Sequence, residues 1–135
     1  MTKTYLDNLT YRILGAAIEV HKHLGPGLLE SVYQKCLMRE LELRNIEFKS
    51  QILTELNYKE CLVPAELRCD LLVENAIVIE LKACESTLPV HEGQVLTYMR
   101  LLQKPKGILI NFNSINIIKQ GQKTFVNDIF KNLPD

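Results

Sequence analysis

The N-terminal third of the chain places apolar residues three and four positions apart, which is the spacing of an amphipathic helix. From about Asn8 to His23 this spacing predicts a first helix, which the triplet Gly25-Pro26-Gly27 ends. From about Leu28 to Arg44 it predicts a second helix. The apolar face of that second helix carries Leu29, Val32, Tyr33, Cys36, Leu37 and Leu41.

Beyond the second helix the period changes to two, which is typical of β-strands. One strand is predicted over Ile52–Tyr58, and a turn at residues 58–60 leads into a return strand that begins at Cys61–Val63. Pro64 cannot donate a ladder hydrogen bond, so that point must lie at an edge or a bend. The first two strands therefore form a hairpin.

A second hairpin follows directly. Strands are predicted near residues 66–73 and 77–83, and Glu74-Asn75 is the tight turn between them. Further along, Pro89 opens a helix that extends to about Leu102. Lys106–Phe112 reads as a buried strand.

The last twenty residues carry weaker patterns. Asn116–Lys119 is expected to be a short strand, and Thr124–Lys131 a final helical turn or two. The predicted order of the main elements is α-α-β-β-β-β-α-β. Such an order favours an α/β (α+β) fold in which a mixed central sheet is flanked by helices.

Length and composition fit one globular domain over residues 1–135, because 47% of the residues are hydrophobic and 24% are charged. No apolar run is long enough to span a bilayer, and no signal-peptide core follows Met1. A cytoplasmic location without a membrane partner is therefore expected. The four cysteines form no CxxC pair, so we expect free thiols.

The net charge is zero, which argues against a strong non-specific grip on nucleic acid. The charges are nevertheless uneven. Residues 65–99 hold six acidic and two basic side chains, whereas residues 100–135 hold six basic and two acidic ones. A bound metal would neutralise the first stretch while the second contacts phosphates. A solvated surface of mixed charge explains the same counts.

The second hairpin carries the candidate chemistry. Glu80 and Lys82 are two residues apart and hence on one face, and the turn brings Asp70 opposite Glu80 on the partner strand. Two carboxylates can hold Mg²⁺ and leave positions for water and a phosphate oxygen. A cross-strand ion pair is the alternative. Charges inside the apolar run 77–82 are costly to bury without a partner or a task.

Two residues outside the hairpin are further candidates. Glu30 begins the second helix and Gln94 lies in the helix after the hairpin, so either can point over the sheet towards the hairpin carboxylates. Compensation of the helix dipole is the alternative role for Glu30, and a solvated helix position is the alternative for Gln94.

The segment Gly27–Tyr33 resembles the signature that names the GxxExxY protein family. The resemblance covers roughly residues 9–126, and that family is similar to compact members of the PD-(D/E)XK nuclease-like superfamily. It therefore implies a restriction-endonuclease-like αβββαβ core with metal ligands on the central hairpin. The resemblance continues through Arg68–Val73, Val78–Ala83, Pro89–Tyr98 and Gly107–Phe112.

Residue by residue, the resemblance implies that Asp70 and Glu80 are metal ligands and that Lys82 is the catalytic lysine. It also implies that Glu30 is the acidic residue of the first core helix, acting at the metal and in catalysis, and that Gln94 is the glutamine of the following helix. The residue before Asp70 is a cysteine rather than the proline of the superfamily's name. That position varies widely between members.

These expectations describe a nuclease that uses Mg²⁺, with Mn²⁺ as a second candidate ion, to hydrolyse phosphodiester bonds in DNA or RNA. Nucleic acid is the expected partner, and a homodimer would supply a longer footprint than one copy. The alternative is a non-catalytic module that binds nucleic acid or protein on a nuclease fold.

Overall fold

A computed structural model describes residues 1–135 as a five-stranded sheet with helices on both faces and a separate two-stranded ribbon. The helices are α1 (Lys3–Leu24), α2 (Glu30–Leu43), α3 (Pro89–Leu102) and α4 (Asp128–Lys131), with a π-helical turn at Ile117–Gly121. The strands are β1 (Phe48–Lys49), β2 (Ile52–Tyr58), β3 (Cys61–Leu67), β4 (Leu71–Val73), β5 (Ile77–Lys82), β6 (Lys106–Asn111) and β7 (Gln122–Val126).

The main sheet has the order β1-β4-β5-β6-β7, and β2 pairs only with β3. Strands β5 and β6 are parallel because α3 crosses over between them, and all other neighbours are antiparallel. This arrangement confirms the predicted mixed central sheet flanked by helices. None of the helices combines the length and the apolar character that a membrane crossing requires.

The two faces of β5 pack against different helices. Ile77, Ile79 and Leu81 are buried in a large core that α1 and α2 cover. Val78 lies on the opposite face, where it packs against Val95 and Met99 of α3. Glu80 and Lys82 therefore lie on the α3 face of the sheet, because side chains alternate along a strand.

The N-terminal helices differ from the predicted boundaries. Helix α1 begins at Lys3 rather than near Asn8, because Thr2 caps it by accepting a hydrogen bond from the Tyr5 amide. Helix α2 begins only at Glu30, after an extended Leu29 that is 75% exposed. The prediction that Leu29 and Val32 belong to the apolar face is therefore wrong, and the buried face consists of Tyr33, Leu37 and Leu41.

Both predicted hairpins form, with one change of boundary. Strand β3 runs to Leu67 and leaves residues 68–70 outside any strand, so β4 is shorter than the predicted strand over 66–73. Strand β5 at 77–82 confirms the prediction. Glu74 and Asn75 both have positive φ, 51° and 52°, as a tight two-residue turn between antiparallel strands requires.

The C-terminal predictions are wrong in type except at the final helical turn. Residues 116–119 lead into a π-helical turn instead of a strand, because the Asn116 side chain accepts from the Lys119 amide and fixes the first turn. Residues 122–126 form β7, so the helix predicted over Thr124–Lys131 is wrong at 124–126 and confirmed only as α4 at 128–131. Pairing with the free edge of β6 outweighs the weak helical pattern there.

Candidate active site

The α3 face of the hairpin brings two carboxylates together at the end of β4 and β5. Oε1 of Glu80 accepts a hydrogen bond from the Asp70 amide at 3.1 Å, and Oδ2 of Asp70 accepts one from the Leu81 amide at 2.7 Å. These reciprocal bonds fix both side chains to the hairpin backbone. They use one oxygen of each carboxylate, so the second oxygen of each is available to a cation.

Burial dominates the electrostatics of this pair. Glu80 is only 2% exposed, and desolvation, reinforced by the charge of Asp70, raises its pKa to about 8. Burial also raises the pKa of Asp70, while the Leu81 amide and Lys82 oppose the increase. Repulsion by the charge of Asp70 thus raises the pKa of Glu80, but it contributes less than burial does. A bound cation would offset both the desolvation of the carboxylates and the repulsion between them.

Lys82 lies beside the pair and connects it to α3. Its ammonium is 3.9 Å from Oε2 of Glu80 and donates to Oε1 of Gln94 at 3.4 Å. Gln94 in turn donates to the Tyr98 hydroxyl at 3.3 Å. The structure therefore places Gln94 at the hairpin, and the contact that orients the lysine is a neutral amide rather than a second acid.

Glu30 approaches the same cluster from the first turn of α2. Burial raises its pKa, Lys82 and His91 oppose the increase, and Asp70 reinforces it. Glu30 thus interacts electrostatically with hairpin residues and with His91 of α3. No three side chains among His, Cys, Asp and Glu are grouped closely enough to hold one metal ion, and the role of Glu30 as a third ligand stays a prediction.

The donor set nevertheless fits a hard divalent cation. Asp70 and Glu80 supply two carboxylates with free oxygens, and Mg²⁺ is commonly held by one or two protein carboxylates while it keeps several waters. Cys69, the adjacent sulfur, is 2% exposed, and burial raises its pKa to about 12. A buried, protonated thiol is a poor ligand for a hard cation such as Mg²⁺, which is bound by oxygen.

Sequence reasoning missed the residues that anchor α2 to this site. Gln34 donates from Nε2 to the Asp70 carbonyl at 3.3 Å. The buried ring of Tyr33 stacks on Phe112 with centroids 4.6 Å apart, and the Phe112 amide donates to the Lys82 carbonyl. The helical spacing identified Tyr33 only as an apolar packing residue, because its hydroxyl partners lie in the irregular loop before α2.

That loop is held by the Tyr33 hydroxyl. The hydroxyl donates to the Gly25 carbonyl at 2.5 Å and accepts from the Leu28 amide at 3.2 Å. Gly27 between them has φ of 102°, which favours glycine. The Gly, Glu and Tyr of the Gly27–Tyr33 segment thus form one local unit that sets where Glu30 begins its helix.

The basic C-terminal stretch does not line the site as expected. Lys106 is buried and pairs with Asp7 of α1 at 2.9 Å, and Lys104 donates to Asn75 in the hairpin turn. Lys106 pairs in register with Ile77, which is three and five residues along β5 from Glu80 and Lys82, or about 10–17 Å. Contact of the basic stretch with phosphates stays a prediction, which at these two lysines needs a substrate that reaches the opposite end of the strands.

Two concavities compete as candidate clefts. One of about 600 Å³ adjoins the carboxylate pair and includes Lys82, His91 and Gln94. The other, of about 670 Å³, lies at the far end of the sheet near Glu47 and Glu74. The cleft at Lys82 is the functional candidate, because only there do acids with raised pKa values meet a cation.

Comparisons with known proteins agree with this placement of elements. The sequence profile described as the PD-(D/E)XK nuclease superfamily matches residues 7–125. A crystal structure of SSO0001 is similar with a TM-score of 0.55 and 24% sequence identity, a likeness that concerns the fold alone. The similarity covers 76% of this chain and 55% of the SSO0001 chain. None of the curated proteins matches the sequence.

Proposed function

The chain belongs to the PD-(D/E)XK nuclease superfamily, and from that premise we propose that it is a metal-dependent nuclease hydrolysing phosphodiester bonds in DNA or RNA. The observation that carries the proposal is the reciprocal hydrogen bonding of Asp70 and Glu80 beside the Lys82 ammonium. Within the superfamily, the Gly27–Tyr33 segment assigns the chain to the GxxExxY group. We place it in the cytoplasm, where its four free cysteines stay reduced.

Asp70 and Glu80 would hold the ion, with Mg²⁺ preferred and Mn²⁺ a substitute. When bound, the ion activates water and offsets negative charge on the phosphate. The carboxylates must be ionised for this task, and their raised pKa values mean that ligand binding and proton release are coupled.

Lys82 is the residue that handles the attacking water or the developing charge. Its ammonium is held between Glu80 and the Gln94 amide, so one hydrogen bond orients it without neutralising it. Gln94 is thereby a positioning residue. Glu30 lies near enough to be influenced by Lys82 and Asp70, and it would serve at the metal or on the attacking water.

A cleavage panel tests the proposal. Single-stranded, duplex and branched DNA and RNA are incubated with Mg²⁺ or Mn²⁺ and with wild-type protein or Lys82→Ala. We expect cleavage by the wild type and at least about a hundredfold slower turnover in the variant, because a positioned proton-transfer group contributes that much. Asp70→Ala and Glu80→Ala should abolish cleavage and retain the fold. Wild-type protein that binds no divalent ion at millimolar concentration and cleaves nothing would overturn the proposal.

One observation favours a second candidate, a non-catalytic module that binds nucleic acid or protein. The net charge is zero and the basic residues Lys104 and Lys106 are distant from the cleft, so one copy has few means of holding a duplex. A homodimer would double the surface that contacts nucleic acid, and the enzyme proposal would then no longer depend on the contacts of one copy. Binding without cleavage in the same panel, unchanged by Lys82→Ala, would favour the module.

A further inference from the structure

Four of the six glycines have a reason within the fold, and a fifth, Gly15, faces the end of the chain's own Arg44 side chain. Gly25 and Gly27 have positive φ, and a Cβ at Gly15 would meet the Arg44 guanidinium at 3.2 Å. A Cβ at Gly107 would clash with Val95, and one at Gly121 would clash with Ser114. The sixth, Gly93, has ordinary helical backbone, and a Cβ added there meets nothing within 4 Å.

The fold therefore gives no reason for glycine at position 93. The residue lies in the interior of α3 and is exposed, where every other residue except proline would stabilise the helix better. Glycine in such a place usually marks the close approach of something that a side chain would obstruct. No part of this chain lies over Gly93, so the space there is open to a ligand.

Gly93 lines the cleft of about 600 Å³ beside the carboxylate pair. Around it stand donors suited to a polar, anionic strand. They are the Lys82 ammonium, the Thr97 hydroxyl and the imidazole of His91, whose Nδ1 accepts from the Leu88 amide, so that Nε2 carries the ring proton. Of the two rings in the wall, the His91 imidazole is held by the Leu88 amide, and the Tyr98 hydroxyl is bound to Gln94.

We propose that the sugar–phosphate backbone of the substrate strand, on one side of the scissile phosphate, passes directly over Gly93 in this cleft. The inference rests on the proposed function and adds the path of the strand to it. Ammonium, hydroxyl and imidazole donors suit the oxygens of phosphate and sugar, and such contacts carry no sequence information. Because Gly93 has no side chain, the backbone of the strand has room to lie close to α3.

The test uses Gly93→Ala and Gly93→Leu in the full chain, with Asn8→Leu on the exposed face of α1 as the matched control. The probes are Mn²⁺ alone, and a short fluorescently labelled single-stranded oligonucleotide in the presence of a divalent ion. Gly93→Ala should raise the melting temperature and weaken oligonucleotide binding. Gly93→Leu should weaken it about tenfold or more, the equivalent of one lost favourable contact. Mn²⁺ affinity should stay at the wild-type value in all three variants.

Each outcome separates the strand path from the proposed function. The inference is overturned if both Gly93 variants bind the oligonucleotide as tightly as Asn8→Leu does. It is also overturned if the Gly93 variants lose Mn²⁺ affinity in parallel, because the effect would then lie at the metal. Wild-type protein that binds Mn²⁺ but no oligonucleotide would also overturn it. Wild-type protein that binds neither would instead overturn the proposed function.

Discussion

Glu80 is the residue at which folding and function make opposite demands. The fold holds its carboxylate 2% exposed, beside Asp70, which favours the protonated form. Metal binding needs the ionised form. Ionising the pair therefore destabilises the metal-free protein, and a bound cation offsets this loss of stability. Metal binding at the site is thus coupled to the free energy of unfolding.

A pH titration of stability detects this coupling. Because the pKa of Glu80 is about 8 in the folded protein and near 4.5 when unfolded, the folded state binds more protons between these values. The free energy of unfolding of metal-free protein should therefore fall as pH rises from about 4.5 to 8, by at most about 1.4 kcal/mol per pH unit from this group. Glu80→Gln should flatten the upper part of the curve, measured by urea denaturation.

The lower part of that window belongs partly to Asp70 and Glu30, whose pKa values burial also raises, so Glu80→Gln should not remove it entirely. Millimolar Mg²⁺ should restore wild-type stability at pH 8 and leave the Gln variant unchanged. Parallel curves for the two proteins would contradict the buried-acid account.

Single residues differ in how far sequence could identify them. Asp70, Glu80 and Lys82 were predicted to share a face because alternation along a hairpin is fixed by the backbone. The pairing of Lys106 with Asp7 could not be predicted, because it joins residues 99 apart, a separation that no local pattern reveals. Gly93 is significant only once the empty space around it is known.

At the scale of elements, predictability follows the range of the interactions. The β4–β5 hairpin and α3 were predicted because a two-residue turn and Pro89 encode them locally. Strand β7 was not, because its pairing partner β6 specifies it. The short β1, likewise, exists only through two residues paired with β4.

The loop before α2 is the element whose rigidity bears most on the site. Tyr33→Phe keeps the stack on Phe112 and removes the hydroxyl that joins Gly25 to Leu28, which should cost about 1–2 kcal/mol for two hydrogen bonds. If the loop acts by placing Glu30, this variant should also weaken Mn²⁺ binding. Chemical denaturation and calorimetry measure the two effects.

A double-mutant cycle assigns the cause. Tyr33→Phe in a Glu30→Gln background should weaken Mn²⁺ binding no further, because the residue being positioned is already lost. Tyr11→Phe, at a tyrosine that is 81% exposed, serves as the control and should change neither stability nor affinity. Additive effects of the Tyr33 and Glu30 substitutions on metal affinity would show that the loop does not act through Glu30.

At the scale of the whole molecule, charge is spread in pairs rather than gathered into a binding surface. Seven of the sixteen basic residues pair with an acid, among them Lys123 with Glu92 of α3 at 2.8 Å. A chain with net charge zero has no field that attracts nucleic acid from a distance. The cleft itself contributes Lys82 and His91 as its cationic or donor side chains.

The salt dependence of binding follows from this distribution. If about two or three phosphates contact one copy, the slope of log affinity against log salt for a single strand should be only about −1.5 to −2, since each neutralised phosphate contributes about −0.7. Fluorescence anisotropy with the labelled oligonucleotide across a salt series gives the slope, and Lys82→Ala should reduce it by one contact. Lys104→Ala, at the opposite end of the sheet, should leave it unchanged. A slope two or more times steeper that Lys104→Ala lowers would contradict this expectation. The nucleic acid would then have to contact the far end of the sheet or a second copy of the chain. Sedimentation of the complex would distinguish a monomer from a dimer.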